Sequence, residues 1–217
     1  GEIEIRRGWQ MAGLLGRFFA QFGRPSGPLG RLAGYLMARL DADDRWVVDL
    51  LDVQPHDRVL DIGFGPGLTI ALIAERSPST LVAGVDPSEV MLSQATRRNR
   101  AAVREGRIDL RLGTVSELPY PDRHFTKACA VHSLYFWQSV EDGLREVGRV
   151  LAPEGRLVIA VRMRHEQAGR FDPSRFGLTD EDLAEIAATL GSVGFGDVAT
   201  QRQQLGRETI AAVVATR

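Results

Sequence analysis

The sequence predicts an α/β fold, a mostly parallel sheet wound with helices, and three observations predict it. An apolar run ending in an acid, Val59-Leu60-Asp61-Ile62, feeds Gly63-Phe64-Gly65-Pro66-Gly67 and then a helical pattern of Leu68, Ile70, Ala71, Leu72 and Ile73. A second apolar run, Leu81-Val82-Ala83-Gly84-Val85, ends in Asp86, nineteen residues after Gly67, and leads into another helix. Near the end of the chain, two strand-like runs at 198–204 and 209–215 flank Leu205-Gly206-Arg207 and predict an antiparallel hairpin.

Each element has a local reason. The first run is apolar throughout apart from its acid, as expected of a strand buried on both faces. The glycines after it suit a tight turn, because they accept positive φ and let a ligand approach bare backbone beside the unpaired N–H groups of the next helix. Ser88, just after Asp86 and Pro87, predicts a helix N-cap. A further strand is predicted through Val131. An amphipathic helix over 140–151 (Val140, Leu144, Val147, Val150, Leu151) should end at a Pro153-Glu154-Gly155 turn before a strand over 156–161. Thr179 with Asp182 three residues on predicts a capped helix over 180–190, and Gly194-Phe195-Gly196 leads into the hairpin.

The glycine spacing bears on the ligand. A dinucleotide fold calls for G-x-G-x-x-G, whereas here Leu68 stands three after Gly65 and the third glycine falls at Gly67. The run resembles motif I of the class I S-adenosylmethionine-dependent methyltransferases, an apolar strand, Asp or Glu, then G-x-G-x-G. The Val85-Asp86-Pro87-Ser88 run is similar to that family's second signature, with Asp86 in the place of its ribose-binding acid. Leu112-Gly113-Thr114-Val115-Ser116-Glu117-Leu118-Pro119-Tyr120-Pro121-Asp122, then His124-Phe125, resembles its third. Two positions depart from that third pattern: Thr114 stands where an Asp usually contacts the adenine amine, and Thr126 replaces a second Asp. A threonine hydroxyl and the Val115 N–H can still serve the adenine edge. Leu151-Ala152-Pro153-Glu154-Gly155-Arg156-Leu157 is similar to the family's L-x-P-G-G-x-L run, and the resemblance covers about residues 45 to 217.

The resemblance implies a Rossmann-like, seven-stranded, mostly parallel sheet with helices on both faces and a C-terminal antiparallel hairpin. It implies S-adenosylmethionine as cofactor, held by Asp61, Gly63, Phe64, Gly65 and Gly67 of the first loop, by Asp86, Pro87 and Ser88 of the second, and by Thr114, Val115 and His132. No metal is expected. Methyl transfer from a sulfonium asks the protein to position the acceptor and, where needed, to take its proton. The candidates for that work lie in His132-Ser133-Leu134-Tyr135-Phe136-Trp137, where open α/β sheets bind ligands. His132 is read either as a base near neutral pH or as a backbone carbonyl gripping the methionine amine, and Tyr135 as a group that orients or deprotonates the acceptor. Tyr135, Phe136 and Trp137 suit a flat or apolar acceptor. The connection over 162–178 is long and arginine-rich, either a solvated loop or a pocket wall suited to a carboxylate or phosphate.

At 217 residues and a formal net charge of −1, the chain is one ordinary domain with no general electrostatic case for a nucleic-acid partner. The single cysteine, Cys129, forms no internal disulfide and falls in a predicted strand, in keeping with a reducing cytoplasm. No signal peptide and no long uncharged apolar stretch is seen, so a cytoplasmic protein is expected. Lys127 is the only lysine.

The division expected is an N-terminal helical arm or lid over 1–44 and a cofactor-binding domain over 45–217. In the arm, Met11, Leu14, Leu15, Phe18, Phe19 and Phe22 recur at helical spacing, and over residues 1–40 six arginines outweigh two glutamates. One reading is a lid over the acceptor pocket. The other is a basic amphipathic segment that contacts an anionic membrane or admits a lipid-like acceptor. The function expected is methyl transfer to a small hydrophobic or aromatic molecule. A phospholipid N-methyltransferase, a non-catalytic protein binding the cofactor or its demethylated product, and a nicotinamide oxidoreductase are the alternatives. The oligomeric state is not legible.

Overall fold

The computed structural model describes residues 42–165, 177–206 and 208–217. Helix α1 (Ala42–Leu51) is followed by β1 (Arg58–Ile62), α2 (Leu68–Arg76), β2 (Leu81–Asp86), α3 (Glu89–Arg98), α4 (Arg100–Arg104) and β3 (Ile108–Leu112). The chain then returns through β4 (Phe125–Val131), α5 (Val140–Val150) and β5 (Leu151–Arg162), and closes with α6 (Asp180–Ser192), β6 (Gly196–Leu205) and β7 (Glu208–Thr216). The seven strands lie in the order β3-β2-β1-β4-β5-β7-β6. β1 to β5 pair in parallel, and β7 runs antiparallel between β5 and β6.

The seven-stranded, mostly parallel sheet and its terminal antiparallel hairpin follow the sequence expectation. Helices cover both faces because the central strands are apolar on both sides. Leu60 and Ile62 face a core shared with Leu144, Val147 and Val150 of α5 and Leu183, Ile186 and Leu190 of α6. Val59 faces the opposite core, with Val47, Val48 and Leu51 of α1, Ile70 and Ile73 of α2, and Met91 and Ala95 of α3. No helix among the described residues is long and apolar enough to cross a membrane.

The expected caps are present. The Ser88 hydroxyl accepts from the Met91 N–H at 3.3 Å, and Thr179 and Asp182 form a reciprocal capping box at α6. The Pro153-Glu154-Gly155 segment differs from expectation, because it lies within β5 instead of preceding the strand. Its backbone finds partners at the end of the chain: the Glu154 N–H donates to the Arg217 carbonyl at 2.8 Å, and the Arg217 N–H to the Gly155 carbonyl at 2.9 Å. The segment keeps turn geometry, with Glu154 at φ 63°, as a bulge where the pairing with β4 slips register.

Below the sheet, the lone lysine closes α1. Lys127 Nζ donates to the carbonyls of Leu51, at 2.7 Å, and Asp52, and pairs with Asp57 at 3.4 Å. Its charge thus meets the negative end of the helix. Thr126 also belongs to this end, donating to Asp57 Oδ1 at 2.7 Å, so its departure from the family pattern lies away from the upper loops.

The order in which strands are added reverses between β1 and β4, which themselves run parallel: β2 and β3 extend to one side of β1, and β4 and β5 to the other. The crevice at the carboxyl ends of the strands at such a switch point is where open α/β sheets hold ligands.

Candidate functional site

The three glycines after β1 all have positive φ, 75° at Gly63, 50° at Gly65 and 78° at Gly67, and their surroundings differ. A Cβ on Gly63 would stand 2.4 Å from Ser133 Cβ, and one on Gly67 would stand 2.7 Å from Ala95 Cβ. A Cβ on Gly65 would meet nothing within 4 Å. Gly63 and Gly67 therefore let the loop pack on the β4 turn and on α3, while Gly65 faces open space that a ligand can enter. Phe64 turns the other way and is buried with Ile70 against Gly84, so it offers a ligand only backbone.

Asp86 ends β2 beside this loop. Its carboxylate accepts from the Gly65 N–H at 3.0 Å and from the Ser88 N–H at 2.9 Å. Burial raises its pKa, against the pull of those two N–H groups. Ser88 thus orients the acid through its backbone and caps α3 through its hydroxyl, with half-buried Pro87 between the two.

The loop after β3 is pinned to the same place. The Gly113 N–H donates to the Asp86 carbonyl at 3.2 Å, which sets exposed Thr114 next to β2. Val115 is buried, its side chain in the core with Leu118 and Tyr120. Arg149 of α5 braces the rest of the loop, donating to the carbonyls of Leu118 at 3.0 Å and Tyr120 at 2.9 Å.

Acids dominate the crevice. Asp61, at the tip of β1, is buried with Oδ2 lacking a hydrogen-bond partner among the described residues. Burial raises its pKa well above the usual carboxylate range, and the charges of Asp44 and Asp86 add to the rise. Cys129, the neighbouring thiol on β4, is pushed up as well, by burial and then by Asp61. It is an inert core group, as expected.

Two acids come from an element that sequence reasoning did not place here. Asp43 and Asp44 sit in the first turn of α1, where acids favour a helix start. Asp44 bonds to Thr69 of α2, and burial raises its pKa. Asp43 Oδ2 lies 2.7 Å from His132 Nε2. The only sequence signal was an acid pair ahead of Val47, Val48 and Leu51.

His132 follows β4 with φ 52°, an uncommon conformation for a non-glycine residue, and its N–H donates to the Ala160 carbonyl at 2.9 Å. The Tyr135 hydroxyl takes the Arg162 N–H at 2.5 Å and lies 3.3 Å from the Arg162 carbonyl. Burial pushes that phenol above the usual tyrosine range. Tyr135 thus braces the turn after β4 against β5, its hydroxyl engaged by the Arg162 backbone. Phe136 is exposed and Trp137 partly buried.

These placements bring Asp61, Gly65, Asp86, Thr114 and His132 to one crevice. The arm over 1–41, whether lid or lipid contact, and positions 166–176 of the arginine-rich connection lie outside the described residues. Among the described residues no cluster of His, Cys, Asp and Glu is arranged to hold a metal ion.

Comparison with known proteins gives the same picture. The family model described as a methyltransferase domain matches residues 60–159. An uncharacterized methyltransferase of Bacillus subtilis, YdaC, is 27% identical over 82% of this chain and 93% of its own length. A demethylmenaquinone methyltransferase of Symbiobacterium thermophilum is 37% identical over 48% of this chain, which spans only 42% of it. Among solved structures, a SAM-dependent methyltransferase from Aquifex aeolicus superposes with a TM-score of 0.66 at 18% identity, over 80% of this chain and 89% of that one.

Proposed function

Because the chain belongs to the class I S-adenosylmethionine-dependent methyltransferases, we propose that it transfers a methyl group to a small hydrophobic or aromatic acceptor held beside the turn after β4. The observation that carries the acceptor class is the aromatic Tyr135-Phe136-Trp137 turn, which follows His132 in the chain and leaves Phe136 exposed.

The residues of the crevice fit the cofactor. Buried Asp86 is an acceptor for a ribose diol, and open space over Gly65 admits a ligand to bare backbone. Asp61 and Asp44 place carboxyl groups beside the loop, and a cationic methionine end of the cofactor would favour their ionised forms against the burial that raises their pKa values. Thr114 takes the adenine edge with an uncharged hydroxyl. The cofactor supplies an electrophilic methyl on a sulfonium that leaves as a neutral thioether. The chain fixes the geometry: Asp86 and Thr114 hold one end of the crevice, and the aromatic turn holds the acceptor in line. That an acceptor of quinone type is named for the Symbiobacterium relative supports an apolar ring as the acceptor.

Isothermal titration with S-adenosylmethionine, S-adenosylhomocysteine and NADH tests the reading, followed by a screen of aromatic and lipid-like acceptors for methyl incorporation. Binding of the first two and not of NADH is expected. Binding of NADH alone would overturn the site, and transfer confined to polar aliphatic acceptors would overturn the acceptor class.

A further inference from the structure

We propose that Asp43 is a positioning residue for His132, and that the pair serves an acceptor whose reacting atom is a neutral hydroxyl of phenol or enol type. The proposal rests on the methyltransferase reading above and goes beyond it in naming the proton acceptor, its partner and the nucleophile. Asp43 Oδ2 lies 2.7 Å from His132 Nε2. An ionised carboxylate only accepts hydrogen bonds, so this contact places the imidazole hydrogen on Nε2 and leaves Nδ1 with its lone pair. Nδ1 has no hydrogen-bond partner among the described residues, whereas the other polar groups of the turn are spent. The Tyr135 hydroxyl is bound to the Arg162 backbone, and the Ser133 hydroxyl donates to the Ile62 carbonyl at 2.6 Å.

The backbone supports the same assignment. His132 holds φ 52° at the end of β4, the kind of uncommon conformation that persists where surrounding contacts enforce it. Here those contacts are the Ala160 carbonyl from β5, which holds the His132 backbone N–H, and Asp43 from α1, which holds the ring, so two elements far apart in sequence converge on one residue. The carboxylate is the more buried partner, with 12% of its side chain exposed against 28% for the histidine, so the open end of the pair is the imidazole.

The nucleophile follows from charge. Asp43 and Asp44 next to His132 repel an acceptor that arrives as an anion, so an oxygen nucleophile must enter with its proton and lose it during the reaction. In that step the acceptor O–H bond breaks and its proton goes to His132 Nδ1. The oxygen lone pair forms the new O–CH3 bond, and the pair of the breaking S–CH3 bond stays on sulfur. The imidazolium so formed faces Asp43 and afterwards releases its proton to water. An amine needs no base as its bond forms, and its protonated form has no lone pair to offer.

The test compares 2-naphthol, 2-naphthylmethylamine and 2-naphthoate, which share a ring and differ in nucleophile, as acceptors of labelled methyl from S-adenosylmethionine. Transfer to 2-naphthol is expected, with kcat reduced about tenfold or more in Asp43→Asn, partly restored in Asp43→Glu, and the affinity for S-adenosylmethionine unchanged. No transfer to 2-naphthol by a protein that binds the cofactor, a preference for the amine or the carboxylate, or full kcat in Asp43→Asn would overturn the proposal. Should Asp43→Asn fold poorly, the ¹⁵N shifts of the His132 ring in the wild-type protein with S-adenosylhomocysteine decide, and a hydrogen on Nδ1 overturns it. Failure of the wild-type protein to bind S-adenosylmethionine would instead strike the underlying function.

Discussion

Gly65→Ala and Gly67→Ala should separate ligand approach from packing within one three-residue span. Both positions have left-handed φ, 50° and 78°, so alanine at either costs about 1–2 kcal/mol of stability through its Cβ. At Gly67 that Cβ also stands 2.7 Å from Ala95 Cβ and 3.0 Å from Ala95 Cα, atoms of a helix that cannot swing away. Overpacking adds about 1–3 kcal/mol, for a total of about 2–5 kcal/mol. In a domain of this size that lowers Tm by roughly 4–20 °C, against about 2–8 °C for Gly65→Ala. The order reverses for the ligand. The Gly65 Cβ would project into open space beside the N–H that meets Asp86, so cofactor affinity should fall about tenfold or more, the range expected when a well-placed hydrogen-bonded contact is lost. Differential scanning fluorimetry and calorimetric titration with S-adenosylhomocysteine measure the two effects. A Gly65→Ala protein that binds as tightly as wild type, or that loses as much Tm as Gly67→Ala, would refute the division of roles.

Asp86→Ala should weaken S-adenosylmethionine by about 1–3 kcal/mol, because two backbone N–H groups orient this acid toward the ligand side; unchanged calorimetric affinity in a folded variant would count against the ribose assignment. Lys127→Met should cost about 1–3 kcal/mol, since it leaves the Leu51 and Asp52 carbonyls and Asp57 without their cation, and a chemical-denaturation midpoint equal to wild type would show that the cap contributes nothing. Burial raises the pKa values of Asp61, Asp44 and Asp86 above 3.8, so the folded protein binds their protons more tightly than the unfolded chain does. The stability they contribute is full below about pH 4, the unfolded value, and is lost as pH rises through their folded values. Asp61→Asn should therefore flatten the fall in the ligand-free urea midpoint on the alkaline side of that range, and an unaltered pH profile would remove Asp61 from the account.

The parts of the site legible in the sequence are those in which one short segment holds both the element and its chemistry. The Val59-to-Gly67 run declares its strand by apolarity broken only at Asp61 and its turn by glycine, and Asp86 declares itself by ending an apolar run before a capped helix. The same segments could not say that Phe64 would turn into the core, nor that Gly63 and Gly67 answer to Ser133 and Ala95 and not to a ligand, because those neighbours lie in other elements. The Pro153-Glu154-Gly155 turn shows the same limit: local chemistry predicted the bend correctly, but only the approach of Arg217 makes the bend part of a strand.

Asp43 and Asp44 mark where local reading stops. Acids in the first turn of a helix are explained sufficiently by the helix itself, so nothing in their segment asks for a partner. The partner is supplied by topology: β1 and β4 are neighbours across the reversal of strand order, and α1 packs over them with its first turn at their carboxyl ends, so a residue 89 positions from His132 becomes its hydrogen-bond partner. Placed there, one acid pair starts the helix and also sets the charge of the crevice. A substitution at Asp43 should therefore be read first in turnover and only second in Tm, the reverse of what its position at a helix start would suggest.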